Sequence, residues 1–188
     1  MNKKNQSLKE IFNNALINFK KKDYKNAELL CYKIISIDPN NYDSKFLLAT
    51  IFAIKQNYKK ANEFMLQAVE IQPTNKSALN NLATTYKELG NIEKAIDIYK
   101  KVLEIDPKHI NANYNLGLAY HKIRELKNAK KYLKKAVEIQ NNYAMAFFSL
   151  ANVLVDLKEH KEALSSYLRC IEINPTIVGA HNNLGLMY

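Results

Sequence analysis

Apolar residues recur along the chain three or four positions apart, in paired blocks separated by short polar segments. One such pair holds Leu82, Tyr86 and Leu89 in its first block and Ala95, Ile96, Tyr99, Val102 and Leu103 in its second. Residues at this spacing lie on one face of a helix. Gly90-Asn91 separates the two blocks, and Asp106-Pro107 ends the second one because the residue before a proline disfavours helical backbone. The pattern predicts two helices joined by a short turn.

The paired blocks repeat with a period of 34 residues, and all four prolines are in phase with it: Pro39, Pro73, Pro107 and Pro175. An alanine column holds Ala27, Ala61, Ala95, Ala129 and Ala163, and an isoleucine column holds Ile37, Ile71, Ile105, Ile139 and Ile173. A leucine column (Leu48, Leu82, Leu116, Leu150, Leu184) is followed at each place by alanine or glycine, and a bulky column holds Phe52, Tyr86, Tyr120, Leu154 and Tyr188. Small residues let helices approach closely, and the large ones fill the space between successive helix pairs.

These columns resemble the tetratricopeptide repeat (TPR) family, whose pattern spaces Leu-Gly, Tyr, Ala, an aromatic residue and Pro in the same way. One repeat carries Leu116-Gly117, Tyr120, Ala129 and Leu133. The resemblance implies an all-α fold, a right-handed α-solenoid of helix-turn-helix repeats. It divides the chain into a basic N-terminal tail at 1–7, five repeats at 8–41, 42–75, 76–109, 110–143 and 144–177, and a partial repeat at 178–188.

The net charge of +10 arises from 28 Lys and Arg against 18 Asp and Glu, and half of the excess lies in residues 110–143. Five lysines of that repeat fall on its second helix: Lys127, Lys130, Lys131, Lys134 and Lys135. In TPR-like arrays this helix faces the outer, convex side. A solvated face is the favoured interpretation, with an acidic partner or RNA as the alternative.

Catalytic and cofactor chemistry leaves no pattern in this chain. The four histidines fall in four different repeats, and the sequence has no Cys-x-x-Cys, no glycine-rich phosphate loop and no Gly-x-Ser-x-Gly. We therefore predict a non-enzymatic chain with no cofactor, no metal and no catalytic residue. The longest apolar stretch, residues 144–155, is too short and too polar for a bilayer, and the N-terminus shows no signal peptide. We expect a cytoplasmic location, and nucleic acid is not the expected partner.

The first helices of TPR-like arrays line a concave groove, so the resemblance implies a protein or peptide partner bound there. Residues beside the core columns are expected to point into the groove: Phe46, Thr50, Asn80, Thr84, Tyr114, Leu118, His121, Phe148 and Asn152. Asn81, Asn115 and Asn183 form a ladder at multiples of 34 residues, interrupted by Leu47 and Ser149. An amide both donates and accepts, so such a ladder suits an extended peptide backbone. The general abundance of Asn in the chain is the alternative explanation.

A second functional hypothesis is that the chain is the N-terminal substrate-recruiting arm of a larger enzyme. Ala15-Leu16, Phe19, Asp23-Tyr24 and Asp38-Pro39 resemble the opening repeat of arrays that precede glycosyltransferase domains of the O-linked N-acetylglucosamine transferase type or bacterial sulfotransferase domains. The last helix exposes Leu184, Leu186 and Tyr188 without a polar capping helix. This pattern predicts a fragment whose C-terminal domain is missing. A basic, RNA-associated helical repeat is the third hypothesis.

Overall fold

A computed structural model describes residues 3–187 and shows an all-helical chain, with side chains described from Gln6 onward. Eleven helices and no strand occur over these residues: α1 (Lys3–Lys20), α2 (Tyr24–Ile37), α3 (Tyr42–Ile54), α4 (Tyr58–Ile71), α5 (Lys76–Glu88), α6 (Ile92–Ile105), α7 (Ile110–Lys122), α8 (Leu126–Ile139), α9 (Ala144–Asp156), α10 (His160–Ile173) and α11 (Val178–Gly185). The predicted all-α fold of paired helices is confirmed. None of these helices is long and apolar enough to cross a bilayer.

The helices form two compact units, residues 1–91 and residues 92–188. In unit 1, helices α1 to α5 pack in chain order, each against the next. In unit 2, α7 packs against α6 and α8, and α9 packs against α8 and α10. The first helix α1 begins at Lys3, inside the segment assigned above to a basic tail, whereas the predicted repeat boundaries stay a prediction. Tyr188 of the bulky column lies outside the described residues.

One residue in the turn of every helix pair has left-handed backbone. These residues are spaced by 34, with φ between 57° and 84°: Lys22, Gln56, Gly90, Arg124 and Lys158. The amide after each one donates to a carbonyl five residues earlier, as from Asn57 to Phe52 and from Glu159 to Leu154, both at 2.8 Å. This six-residue hydrogen bond and the left-handed residue define a Schellman motif, which ends the first helix and reverses the chain.

The isoleucine column marks the last residue of every second helix, from Ile37 in α2 to Ile173 in α10. Helix α8 ends at Ile139 although Asn141 replaces the proline that follows the other four second helices. Its cap, Gln140, donates its amide to the carbonyl of Ala136 at 3.0 Å, as the caps of the other second helices do four residues back. Proline is therefore not needed to end this helix.

All five members of the alanine column are fully buried. The leucine column is buried from Leu48 to Leu150, and Leu184 is half-buried. Gly117, one of the small residues that follow the leucine column, lies in a tightly packed place. A Cβ atom there would lie 2.6 Å from Leu133 Cγ. The small residues thus permit the packing that the sequence pattern predicts.

Candidate functional site

Three predicted groove residues of unit 2 converge on one cavity of about 650 Å³. They come from three successive first helices: His121 from α7, Asn152 from α9 and Asn183 from α11. The full lining is His121, Asn152, Val155, Asp156, His160, Tyr167, Asn183, Leu186 and Met187. We call this space the first-helix cavity. Its wall contains hydrogen-bonding and ionisable groups together with three apolar side chains.

Two asparagines and a tyrosine form a closed hydrogen-bonded set in the wall of the first-helix cavity. The Tyr167 hydroxyl donates to Asn152 Oδ1 at 2.5 Å, and Asn183 Nδ2 donates to the same oxygen at 2.9 Å and to the Tyr167 oxygen at 3.1 Å. Burial raises the pKa of Tyr167, and the hydrogen bond from Asn183 opposes that shift. The set fixes the orientation of both amides and leaves Asn152 Nδ2 and Asn183 Oδ1 for a ligand.

An ionic cluster borders the same cavity where α7 meets α9. Asp156 Oδ2 lies 2.8 Å from His121 Nε2 and 2.7 Å from Arg124 Nη1. The hydrogen bond with His121 is the main cause that lowers the pKa of Asp156, and the positive charge of Arg124 acts in the same direction. The cluster therefore keeps a carboxylate at the cavity, held by two basic side chains.

The other predicted residues of unit 2 do not line the first-helix cavity. Tyr114 is half-buried against the Tyr143 ring, with 4.9 Å between ring centres, and its hydroxyl lies 3.5 Å from Ser149 Oγ. Phe148 packs on Tyr167 with 6.1 Å between ring centres. Asn115 and Leu118 are half-buried on α7. These side chains present part of their surface, while Phe148 also belongs to a core cluster.

Unit 1 holds a smaller cavity of about 350 Å³, to which Thr50, Asn81 and Thr84 contribute. Both threonine hydroxyls donate to backbone carbonyls of their own helices at 2.9 Å. The remaining two predicted residues are not in its lining. Phe46 stacks on Tyr42, and Asn80 is 6% exposed, so Asn80 offers a ligand little surface.

Sequence reasoning did not place six lining residues of the first-helix cavity: Val155, Asp156, His160, Tyr167, Leu186 and Met187. Tyr167 belongs to the second helix α10, which the TPR pattern assigns to the outer side, and His160 is exposed at the start of the same helix. The opposite charges of Arg124 and Asp156 were the one available signal. Over residues 6–187, no three His, Cys, Asp or Glu side chains are grouped so that they could hold a metal ion.

Three family models match parts of the sequence. A TPR repeat model matches residues 84–123, and a tetratricopeptide repeat model matches residues 110–143 and 145–177. A model of the anaphase-promoting complex, cyclosome, subunit 3 matches residues 20–102. Among curated proteins, none matches the sequence.

Solved structures of similar fold cover nearly the whole chain at low identity. The structure of YrrB, titled a TPR protein with an unusual peptide-binding site, superposes with a TM-score of 0.75 at 17% identity, over 92% of this chain and 89% of that one. A MamA structure gives 0.79 at 19% identity, over 91% and 93%. PilF of Pseudomonas aeruginosa gives 0.81 at 18% identity, over 97% and 89%. The family models thus recognise tetratricopeptide repeats at residues 84–143 and 145–177, and the solved structures share the fold.

Proposed function

We propose that the chain is a protein-interaction scaffold that binds a peptide segment on the first helices of its repeats. The convergence of His121, Asn152 and Asn183 on one cavity carries the proposal. Three successive first helices each supply one hydrogen-bonding side chain there, and such side chains can bind the main chain of an extended peptide. The peptide-binding site named for YrrB supports the same role for a chain of this fold.

The chemistry of the first-helix cavity suits a peptide backbone better than a small reactive substrate. Asn152 Nδ2 can donate to a peptide carbonyl, and Asn183 Oδ1 can accept from a peptide amide, so the pair recognises main chain of any sequence. Val155, Leu186 and Met187 offer apolar surface for one side chain of the ligand. Asp156 Oδ2 is held by His121 and Arg124, which leaves Asp156 Oδ1 to accept a hydrogen bond from the ligand.

A selection experiment followed by matched variants tests the proposed function. Peptides would be selected from a random displayed library on the immobilised 188-residue chain, then measured by fluorescence anisotropy. We expect His121→Ala and Asn183→Ala each to weaken binding by about tenfold, since one hydrogen bond to a buried or charged partner contributes about 1.5 kcal/mol. His181→Ala is the control, because His181 lies on α11 outside the cavity.

Hydrogen exchange of the complex supplies the second readout. Protection should appear in α7, α9 and α11 when the peptide binds. Selected peptides that bind both cavity variants as tightly as the unchanged chain, or that protect only α8 and α10, would contradict the proposal.

The enzyme-arm hypothesis, the missing C-terminal domain and the cytoplasmic location stay predictions. Sequencing the gene beyond the Tyr188 codon tests the first two directly. An in-frame glycosyltransferase or sulfotransferase domain would make the first-helix cavity the recruiting site of that enzyme. The RNA hypothesis requires steep salt dependence of binding.

A further inference from the structure

A second cleft of about 400 Å³ lies between the second helices α8 and α10 of unit 2, and it shares no residue with the first-helix cavity. Its lining is Lys130, Lys134, Val137, Glu138, Phe147, Leu150, Leu154, Lys161, Glu162, Ser165 and Ser166. Apolar side chains from α8 and α9 form the walls, and charged side chains form the rim. We call it the second-helix cleft.

The second-helix cleft exists because one repeat lacks a bulky side chain. The column that contains Ser166 holds Leu30, Phe64, Ile98 and Tyr132 in the other repeats. Phe64 stacks on Phe52 with 5.7 Å between ring centres and 6° between planes. Tyr132 stacks on Tyr120 in the same way, at 5.7 Å and 11°. In the fifth repeat these two places carry Ser166 and Leu154, so the stacked pair of rings is missing.

The hydroxyl of Ser166, which stands in place of the ring, needs no hydrogen-bond partner from a ligand. The Ser166 hydroxyl donates to the carbonyl of Glu162 in its own helix at 2.9 Å and is almost fully buried. The remaining wall is formed by Phe147, Leu150 and Leu154. An apolar space with these walls favours an aromatic side chain, which gains most from leaving water.

The rim of the cleft favours negative charge next to that aromatic side chain. Lys130 is paired with Glu159 and Glu162, whereas Lys134 and Lys161 are exposed and form no salt bridge within residues 6–187. Lys127, Lys131 and Lys135 extend the positive charge along α8. The lining also carries the exposed Glu138, so the positive excess comes from Lys134, Lys161 and the other lysines of α8. This excess complements a partner segment that carries carboxylates.

The preceding repeat shows how a ring and a lysine are arranged at this place. Lys100 Nζ lies 5.9 Å from the centre of the Tyr120 ring, and Lys134 is its counterpart one repeat later. An aromatic side chain bound over Leu154 would therefore have a lysine ammonium above its face, an arrangement that is itself attractive.

We propose that the second-helix cleft is a docking site for an acidic segment of a partner protein that inserts one aromatic side chain. The aromatic ring occupies the space that Phe64 and Tyr132 fill in their own repeats. Carboxylates on either side of it pair with Lys134 and Lys161. This site is separate from the peptide site proposed above, so the chain can hold two protein segments at once.

A tryptophan-containing peptide tests the proposal directly, because the protein has no Trp of its own. The probe is a synthetic peptide with one Trp between aspartates, titrated with the 188-residue chain while Trp emission is recorded. We expect a saturable blue shift as the indole leaves water. A second peptide with asparagines in place of the aspartates should bind about tenfold more weakly, as expected for the loss of a charged hydrogen-bonded contact.

Two sets of variants separate the cleft from the rest of the surface. Ser166→Tyr restores the residue of the preceding repeat and should weaken peptide binding by about tenfold or more, the loss expected of a blocked anchor pocket. The melting temperature of this variant should not fall. Lys134→Glu and Lys161→Glu should also weaken binding, whereas Lys127→Glu, with the same charge change on α8 outside the cleft, should have a much smaller effect.

Several outcomes would overturn the proposal. One is the absence of a blue shift with the unchanged chain up to millimolar concentrations. Another is unchanged affinity in Ser166→Tyr, with Ser166→Leu used in its place if the tyrosine variant does not fold. Equal losses in Lys127→Glu and Lys134→Glu would show diffuse attraction rather than a site. His121→Ala should leave this binding unchanged, so failure here and failure of the first-helix proposal are distinguishable.

Discussion

Gly117 shows at the scale of one residue how a repeat adapts to its neighbour. A Cβ on this glycine would lie 2.6 Å from Leu133 Cγ and 3.2 Å from the Leu133 backbone nitrogen. In the next repeat the same two places carry Ala151 and Tyr167. The branch of leucine at its tetrahedral Cγ takes the space that alanine would need. Glycine is therefore required at position 117 because Leu133 packs against it. The backbone angles of Gly117 do not require glycine.

Gly117→Ala should lower the free energy of unfolding by up to about 2 kcal/mol. Overpacking destabilises the fold by about 1–3 kcal/mol, and the higher helix propensity of alanine offsets about 1 kcal/mol of this. Urea denaturation measures the change. Gly185→Ala is the matched control, since its Cβ would meet no atom within 4 Å. Adding Leu133→Met should recover part of the loss. Equal stability of the two alanine variants would show that Leu133 moves aside freely.

At the scale of the element, the 34-residue columns were enough to predict eleven helices and which faces they bury. The sequence revealed only one of the five hairpin turns, at Gly90. Lys22, Gln56, Arg124 and Lys158 adopt the same left-handed backbone without a residue type that favours it, because the packing of two helices imposes the turn. Such a turn cannot be predicted from local preference.

The candidate site was predictable to the same partial extent. The period identified His121, Asn152 and Asn183, because first helices repeat the same face. Asp156 and Tyr167 could not be found in this way. Their place depends on how α9 and α10 are rotated about their axes, and the hydrogen bonds to Asn152 and Asn183 exist only in the folded chain.

The ionic link between α7 and α9 should give the chain a defined acid sensitivity. The pKa of Asp156 is lowered in the folded chain. The carboxylate therefore contributes stability at pH values above the ordinary carboxyl pKa of about 4, and this contribution is lost as the pH falls through the folded-state pKa. We expect Asp156→Asn to lower the melting temperature at pH 7. The difference from the unchanged chain should shrink as the pH falls below about 4.

Thermal melting at a series of pH values measures this effect. Glu70→Gln serves as the control, because Glu70 is exposed on α4 in the other unit. A constant difference between the chain and Asp156→Asn from pH 7 to pH 3 would mean that the carboxylate charge is not what joins the two helices.

At the scale of the whole molecule, the stability of each helix depends on its neighbours along the chain, as in other repeat proteins. Helix α9 packs between α8 and α10, whereas α11 packs mainly on α10. Ile177, the N-cap residue of α11, makes no side-chain capping hydrogen bond. Leu186, the C-cap residue at the other end of α11, is 86% exposed. Stability should therefore fall along unit 2 toward α11.

Native-state hydrogen exchange of the 188-residue chain tests this gradient. Amides of α11 should exchange fastest within unit 2, and those of α8 and α9 should exchange slowest, because local opening of α11 breaks the fewest contacts. Equal protection of α11 and α9 would indicate that unit 2 opens only as one cooperative block.

The left-handed turn residues have a consequence for how far the thermal stability of the chain could be raised. Each non-glycine residue in this conformation destabilises the folded chain by about 1–2 kcal/mol. Replacement with glycine removes this strain, but about 0.5–1 kcal/mol of the gain is lost because glycine has more conformational entropy in the unfolded chain. Glycine at 22, 56 and 158 would thus add roughly 1.5–3 kcal/mol, since these sites lie in different repeats. Arg124 is kept because its guanidinium holds Asp156 at the first-helix cavity. These turns are therefore the positions at which the scaffold could be stabilised without changing either proposed binding surface.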